Sequence, residues 1–436
     1  MNYYLAIDIG ASSGRHIVGW ENDGKIMTDE VYRFDNGPDK LGESLVWDTE
    51  RLFLEVKRGI AAALLKYPKI ISLSIDTWGV DYVLMRGDEA ALPAYAYRDE
   101  RGERAAEFVH RIISKRELFS RTGTTYMSFN TIYQLYYDKL CGRLEGVTDL
   151  LMMPEYLMYR LTGKRLRERT NATTTGLVNA LTHEYDEEIF ERLGLPECLM
   201  RPLSDPGASL GGLLPEVIDE VGGDIEVVLC ATHDTASAVE AIEMKENAPY
   251  ISSGTWSLLG VKTEAALTDD KSRRSGYSNE GGIGYNRYQK NIAGMWIVQR
   301  LRAELCPELS YVEITDMALR SKFIGSFDVD DPCLLAPKSM KGVICERLGI
   351  FEDSVGAADL FNAAYVSLAL GYRRAIADLE KNTGKTYTEL YIVGGGAKNN
   401  YLNSLTEQYT GKRVIALPIE ATAIGNLKVQ MKGKRK

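Results

Sequence analysis

Thr232-His-Asp-Thr235 follows an apolar run, Val227 to Ala231, and precedes a run of small residues, Ala236 to Ile242. The pattern predicts a buried strand, a turn and a helix. A strand that feeds a helix presents its turn at the carboxyl end of a sheet, where α/β proteins place their sites. Asp234 then has two possible uses: a carboxylate facing a ligand, or an N-cap of the helix. Three further stretches suit phosphate chemistry: Gly10-Ala-Ser-Ser-Gly14, Ser252-Ser-Gly-Thr255 and Gly394-Gly-Gly396, each after an apolar strand. Such turns aim backbone N–H groups and hydroxyls at one point, although any one of them alone reads as an ordinary turn. Asp8 ends the first strand, and a carboxylate buried there needs a partner. A hydrated Mg²⁺ would be one, since that ion takes few carboxylates and several waters. Phosphate donors and a metal carboxylate together point to a nucleoside triphosphate.

Other chemistries lose their support. Gly10-Ala-Ser-Ser-Gly14 matches the hydrolase G-x-S-x-G elbow, but that elbow needs a helix immediately after it. Here Arg15 to Trp20 alternates as a strand. Neither G-x-x-x-x-G-K-[ST] nor G-x-G-x-x-G occurs, which removes the main signals of P-loop and dinucleotide enzymes. The four histidines, His16, His110, His183 and His233, lack metal-ligand spacing.

The elements that must position these groups come in two similar sets. Tyr4–Ile9, Arg15–Trp20 and Lys25–Phe34 read as a three-stranded meander, and Asp48 or Thr49 caps a helix reaching Lys66. A strand over Ile70–Ile75 ends in Asp76-Thr-Trp-Gly-Val-Asp81. Helices are expected to dominate from Glu100 to Thr162, and Asn171-Ala-Thr-Thr-Thr-Gly176 to form a polar loop. Pro249 to Val261 repeats the strand, small-residue turn and strand of residues 4–20, a weak internal duplication. Helices over Met295–Leu305 and Ser354–Asn382 follow. Strands over Glu389–Val393 and Arg413–Leu417 and a helix from Glu420 complete the second set. The basic end, Met431 to Lys436, reads as a frayed, solvated tail.

With 436 residues the chain has room for two or three domains. A net charge of −9 argues against a nucleic-acid or anionic-membrane surface. Six scattered cysteines without a Cys-x-x-Cys pair read as free thiols of a reducing compartment. No signal peptide and no membrane-spanning run is expected, so the expected setting is cytoplasmic.

These stretches together resemble the FGGY carbohydrate kinases. Asp8-Ile-Gly-Ala-Ser-Ser-Gly-Arg15 resembles that family's first phosphate motif, and Ser74-Ile-Asp-Thr-Trp-Gly-Val-Asp-Tyr82 its sugar-side loop. Asn171 to Thr175, His233 to Val239, Ser252 to Ser257, Lys290-Asn-Ile292 with Trp296 and Gln299, and Gly394 to Asn399 follow in the family's order. The resemblance spans residues 4 to about 427. It implies an α/β chain of two actin-like, ribonuclease H-like domains with ATP and sugar in the cleft between them. Residues 1–243 would form the sugar and phosphate side. Residues 244–436 would form the nucleotide side, expected to lack its last helical segment.

The resemblance also implies roles. Asp234 would be the general base that takes the proton from a ketose C1 hydroxyl as it attacks the γ-phosphate. His233, Thr235, Gly79 and Asn291 would hold the ketose with it. Ala11, Ser12, Ser13, Gly14, Arg15, Thr255, Gln299, Gly394, Gly395 and Gly396 would hold ATP, and Asp8 would hold Mg²⁺ through water. Arg98 and Asp99 would either face the sugar or mark an exposed, charged helix start. The His-Asp-Thr and Asp-Thr-Trp-Gly-Val-Asp stretches point to the branch acting on L-rhamnulose, in rhamnose breakdown. L-Fuculose and D-xylulose are the rival ketoses, and a sugar- or nucleotide-binding protein without turnover is the rival class. The expected state is a monomer or weak homodimer.

Overall fold

Two six-stranded sheets of matching topology organise the chain. The structure is a computed structural model and describes residues 1–245, 248–335, 337–417 and 420–433, so the last three residues of the basic end lie outside it. The first sheet contains β1 (Tyr3–Ile9), β2 (Ser13–Asn22), β3 (Lys25–Asp35), β4 (Ile70–Thr77), β5 (Ser209–Gly211) and β6 (Glu226–Val228), in the order β5-β6-β4-β1-β2-β3. The second contains β7 (Tyr250–Ser253), β8 (Trp256–Thr263), β9 (Ser278–Gly281), β10 (Asn286–Ala293), β11 (Glu389–Val393) and β12 (Arg413–Leu417), in the order β9-β10-β8-β7-β11-β12. In each, an antiparallel hairpin continues into parallel strands: β1, β4 and β6 in one, β7, β11 and β12 in the other. The duplication read from the two hairpins therefore extends to five strands of each sheet; the sixth lies on opposite edges, β5 beside β6 in one and β9 beside β10 in the other.

β1 and β4 are buried on both faces because helices cover both. α1 (Thr49–Lys66) buries Leu52, Phe53, Val56, Ile60 and Ala63, one face at helical spacing, and Asp48 caps it by accepting from Arg51 N. The buried core under it includes Leu5, Ile7, Leu73, Ile75 and Val227. A separate apolar cluster lies within residues 82–199. There the expected helical run is broken by the strand Asp149–Met152, which pairs with Tyr82–Arg86. Three apolar residues after an aspartate carry too little periodicity to separate strand from helix.

Two short helices cross where the halves join. α2 (Asp234–Ala241) leads from the first sheet into the second, and α4 (Ala421–Gly433) returns from the second to pack on α2, β1 and β4; the long helix between them in sequence, α3 (Ala357–Thr383), fills the core of the second half. Leu427 of α4 fits above Gly19 of β2, where an added Cβ would come within 2.3 Å of the leucine. Polar side chains of α4 also enter the first sheet: Gln430 donates to Leu5 O at 3.0 Å and accepts from Ser72 Oγ at 2.7 Å. Further bonds join the halves, among them Thr125 Oγ1 to Tyr277 O at 2.9 Å and Gly281 N to Thr173 Oγ1 at 2.7 Å.

His16 lies buried between β2 and α1, its Nε2 3.2 Å from Val56 O, over Gly59, which leaves room for the ring. Burial pushes its pKa down to about 4. The unfolded chain protonates His near ~6.5, so His16 contributes its full stability above that pH. The contribution, of the order of 3 kcal/mol, is lost as pH falls from there through the folded value. Urea denaturation at pH 7 and pH 5 is expected to show a larger acid-side loss for the wild type than for His16→Leu. Parallel losses would contradict this.

Candidate functional site

The His-Asp-Thr turn is fixed by a buried carboxylate outside any recognised motif. Glu168 Oε2 accepts from Thr232 N at 3.0 Å and Thr232 Oγ1 at 2.8 Å, and from Asn171 N and Thr170 Oγ1. Thr77 N at the end of β4 donates to Thr232 O at 2.9 Å. The expected polar loop at 171–176 is instead a helical turn, Arg169–Ala172 continuing through Thr173–Thr175, with Asn171, Thr174 and Thr175 buried. Glu168 explains the difference, because it caps this turn at the backbone of Thr170 and Asn171.

β6 is shorter than the apolar run suggests; Leu229 to Ala231 stay buried but outside the strand. Asp234 is the first residue of α2, and the N-cap position falls to His233, which makes no side-chain cap bond. Asp234 Oδ1 accepts from Thr235 N and, at 3.1 Å, from Thr235 Oγ1, and His233 Nε2 stands 3.4 Å from the same oxygen. The carboxylate thus caps no later N–H of the helix. Its Oδ2 makes no hydrogen bond among the described residues, and the side chain is 33% exposed.

Two more carboxylates lie close to it electrostatically. Asp8 and Asp76 are register partners on parallel β1 and β4, and both are buried. Burial raises the Asp8 pKa against the opposing charge of Arg15, and Asp234 adds to the rise. Asp76 is pushed well above the carboxylate range, first by burial and then by Asp8. Asn426 of α4 donates to Asp76 Oδ2 at 2.6 Å, whereas Asp76 Oδ1 is buried without a hydrogen-bond partner among the described residues. Arg15 donates to Asp8 at 2.5 Å and also pairs with Glu420, across the two halves.

The sugar-side loop is tightly constrained. Gly79 faces Thr174, and an added Cβ would lie 2.9 Å from its side chain. Val80 has φ of 66°, a region that a β-branched residue enters only under constraint. Thr174 Oγ1 receives its N–H at 3.0 Å, and its carbonyl accepts from Thr131 Oγ1 at 2.7 Å. Asp81 accepts from the indoles of Trp47 and Trp78 at 2.6 and 2.8 Å, and burial lifts its pKa to about 6 against those bonds. Asp99 accepts from Leu45 N and Arg101 N, a structural role next to the helix start. Arg98 is exposed and its guanidinium stands over the Trp296 ring of the second half, 5.8 Å from the centroid.

In the second half, Gly394 to Gly396 meet the end of β7. Gly394 has φ of 83°, and a Cβ on Gly396 would fall 1.9 Å from Ser253 Oγ. Gly395 has open space where its Cβ would be, the cradle a closely approaching ligand needs. Thr255 O accepts from Trp296 N at 3.0 Å, so the helix carrying Gln299 starts on the Thr255 turn. The turn of Ala11 and Ser12 is closed by Gly10 N to Ser13 O at 2.9 Å and tied to Asn36, with Gly14 packed on Phe34. Asn291 is exposed on β10, on the face shared with Arg287 and Gln289. The Asn291 and Gln299 side chains form no hydrogen bond with the other site residues among those described.

A further contact crosses from half to half at the site. Arg287 of β10 is fully buried and donates to His233 Nδ1 at 3.0 Å, and to Glu280 of β9 at 2.9 Å. Burial would raise the Glu280 pKa, but Arg287 and His233 hold it down at about 2. Neither Arg287 nor Glu280 stands out in the sequence; β9 forms the sheet edge and β10 lies beside it. Glu168 and Asn426 are equally silent there, because the site residues they hold, Thr232 and Asp76, are more than fifty residues away.

The sequence matches the FGGY family of carbohydrate kinases, its N-terminal domain over residues 3–240 and its C-terminal domain over residues 249–433. It is 41% identical over 433 residues to the rhamnulokinase of Oceanobacillus iheyensis, covering 98% of this chain and 92% of the relative. It is 40% identical over 437 residues to that of Halalkalibacterium halodurans, covering 99% and 93%. A gluconate kinase and a xylulose kinase of Lactobacillus acidophilus share the fold, each at a TM-score of 0.83 and 16% identity over the whole of this chain; the first is covered over 89% of its length and the second over 90%. With two matching sheets in actin-like domains, the chain belongs to the FGGY family of carbohydrate kinases.

Proposed function

We propose that the chain transfers the γ-phosphoryl group of ATP to the C1 hydroxyl of L-rhamnulose, with Asp234 as general base. The observation that carries the reading is the asymmetry of that carboxylate. Oδ1 is occupied by Thr235 and faces His233, while Oδ2 is left for a substrate proton. The ketose hydroxyl gives its proton to Asp234 as its oxygen bonds to the γ-phosphorus. The bond from that phosphorus to the β–γ bridging oxygen breaks, and ADP leaves with the electron pair. His233, Thr235, Gly79 and Asn291 hold the other sugar oxygens. Identities of 34–41% to curated rhamnulokinases over nearly the full chain support the choice of sugar.

The residues present fit the nucleotide and its metal. Open space at Gly395 and the small-residue turn at Ala11, Ser12, Ser13 and Gly14 suit phosphates. Gly394, Gly396, Thr255 and Gln299 would complete the nucleotide side. Asp8, beside the orphaned Oδ1 of Asp76, offers the hard oxygen donors Mg²⁺ prefers. When bound, the ion neutralises charge on the transferring phosphates. Arg15, paired with Asp8 and Glu420, would turn to the same phosphates. Residues 1–243 would then be the sugar half and 244–436 the nucleotide half. A monomer or weak homodimer in the cytoplasm belongs to the same proposal. The six free cysteines are consistent with that compartment, and no helix among the described residues is long and apolar enough to cross a membrane.

ADP release measured on L-rhamnulose, L-fuculose and D-xylulose tests this reading. L-Rhamnulose is expected to give the highest kcat/KM, because a wrongly placed hydroxyl leaves a buried polar partner unpaired. A higher value for either rival would move the assignment to another ketose. No turnover on any of them, in a folded sample with ATP and Mg²⁺, would favour a binding protein.

A further inference from the structure

His233 is the ketose-side neighbour of Asp234, yet its ring is held from the other half of the molecule. Nδ1 lies 3.0 Å from Arg287 Nη2 and 3.2 Å from Glu280 Oε2. A guanidinium has five N–H donors and no acceptor, so a hydrogen bond from Arg287 requires a lone pair on Nδ1. The Arg287 contact has donor geometry, and Glu280 Oε2, itself bound by Arg287, lies beside the same nitrogen. Arg287 itself is fully buried and fixed by Nε to Gly281 O at 2.8 Å as well as by Glu280. Nε2, on the opposite side of the ring, faces Asp234 Oδ1 at 3.4 Å.

We infer that Arg287, anchored by Glu280, fixes His233 as the Nε2–H tautomer, so that the site presents a hydrogen-bond donor beside Asp234. The inference builds on the reading of Asp234 as the base. A donor at Nε2 has two uses there. It takes an acceptor oxygen of the ketose, and it steers the Asp234 lone pair used for the proton toward Oδ2. Arg287 is thus a positioning residue: it touches neither sugar nor phosphate and acts through His233. A ring orientation set by a partner on the far nitrogen is the same device that metal sites use to orient histidine ligands.

The direct test is the ¹⁵N spectrum of the imidazoles, recorded by long-range proton–nitrogen correlation on the full chain. Only four histidines contribute signals, and loss of one set in His233→Gln assigns the relevant pair. The wild type is expected to show Nδ1 unprotonated and Nε2 protonated at neutral pH. The double variant Arg287→Met with Glu280→Gln removes the clamp without leaving a lone buried charge. It is expected to give averaged tautomers and a kcat/KM for L-rhamnulose about tenfold lower, the scale of one hydrogen bond. A protonated Nδ1 in the wild type would overturn the inference, as would unchanged tautomer and kinetics in the double variant. If the variant fails to fold, the wild-type spectrum still decides. The spectrum does not depend on turnover, so its outcome is separate from that of any Asp234 variant.

Discussion

Replacing Asp234 by asparagine lowers kcat by about 10²–10⁴-fold, the usual worth of general-base help, while the ketose still binds. The amide has nearly the same shape, and its oxygen can keep the bonds from Thr235 N and Oγ1. The NH₂ group then stands where Oδ2 stood, and it cannot accept the C1 proton. Local structure offers no competing explanation for such a loss, since Asp234 caps none of the later N–H groups of α2. Steady-state kinetics with calorimetric titration of L-rhamnulose separates the two effects. A variant that turns over near the wild-type rate would show that another group takes the proton.

The second large effect is expected at Gly425 of α4, where that helix packs on α2. Gly→Ala inside an exposed helix normally stabilises by about 1 kcal/mol. Here the sign reverses. An added Cβ would lie 1.7 Å from Ser237 O and 2.6 Å from its carbonyl carbon, both backbone atoms of α2. Neither atom is the movable end of a side chain, so the helices must part. Overpacking of this kind costs about 1–3 kcal/mol. Because Asp234 begins α2, the displacement also shifts the carboxylate, and a misplacement of about 1 Å can cost 10²-fold in rate. Gly425→Ala is therefore expected to lower both Tm and kcat. Gly433→Ala, with nothing within 4 Å of its Cβ, is the control. A Gly425→Ala protein as stable and active as the control would show that α4 does not brace α2.

What could be read from the sequence was what is local. Hairpins, the Asp48 cap and the Gly-rich turns depend on residues a few positions apart, and they lie close to where the pattern places them. The small-residue turns also identified both strand ends now found in matching sheets. The 171–176 stretch was misread as a loop because its polarity suggests solvent, whereas its hydroxyls are spent on buried bonds to Ala172 O, Asn171 O and Val80 N. Asp234 looked like a cap because Asp is common there; the backbone begins the helix one residue earlier than a capping aspartate would allow. Asn426, Glu280 and Arg287 carry no signal for the site in the sequence, and Glu168 signals at most its local cap. Each becomes visible only when the two halves, or the 168–176 turn and the end of β6, are brought together.

The position of phosphate in the product tests the central claim most directly. L-Rhamnulose, ATP and Mg²⁺ are incubated with the chain, and the product is resolved by phosphorus–carbon coupled NMR. The expected product is L-rhamnulose 1-phosphate, formed in equal amount with ADP. Phosphate on any other carbon, or ADP formed without a sugar phosphate, would contradict the placement of the C1 hydroxyl at Asp234.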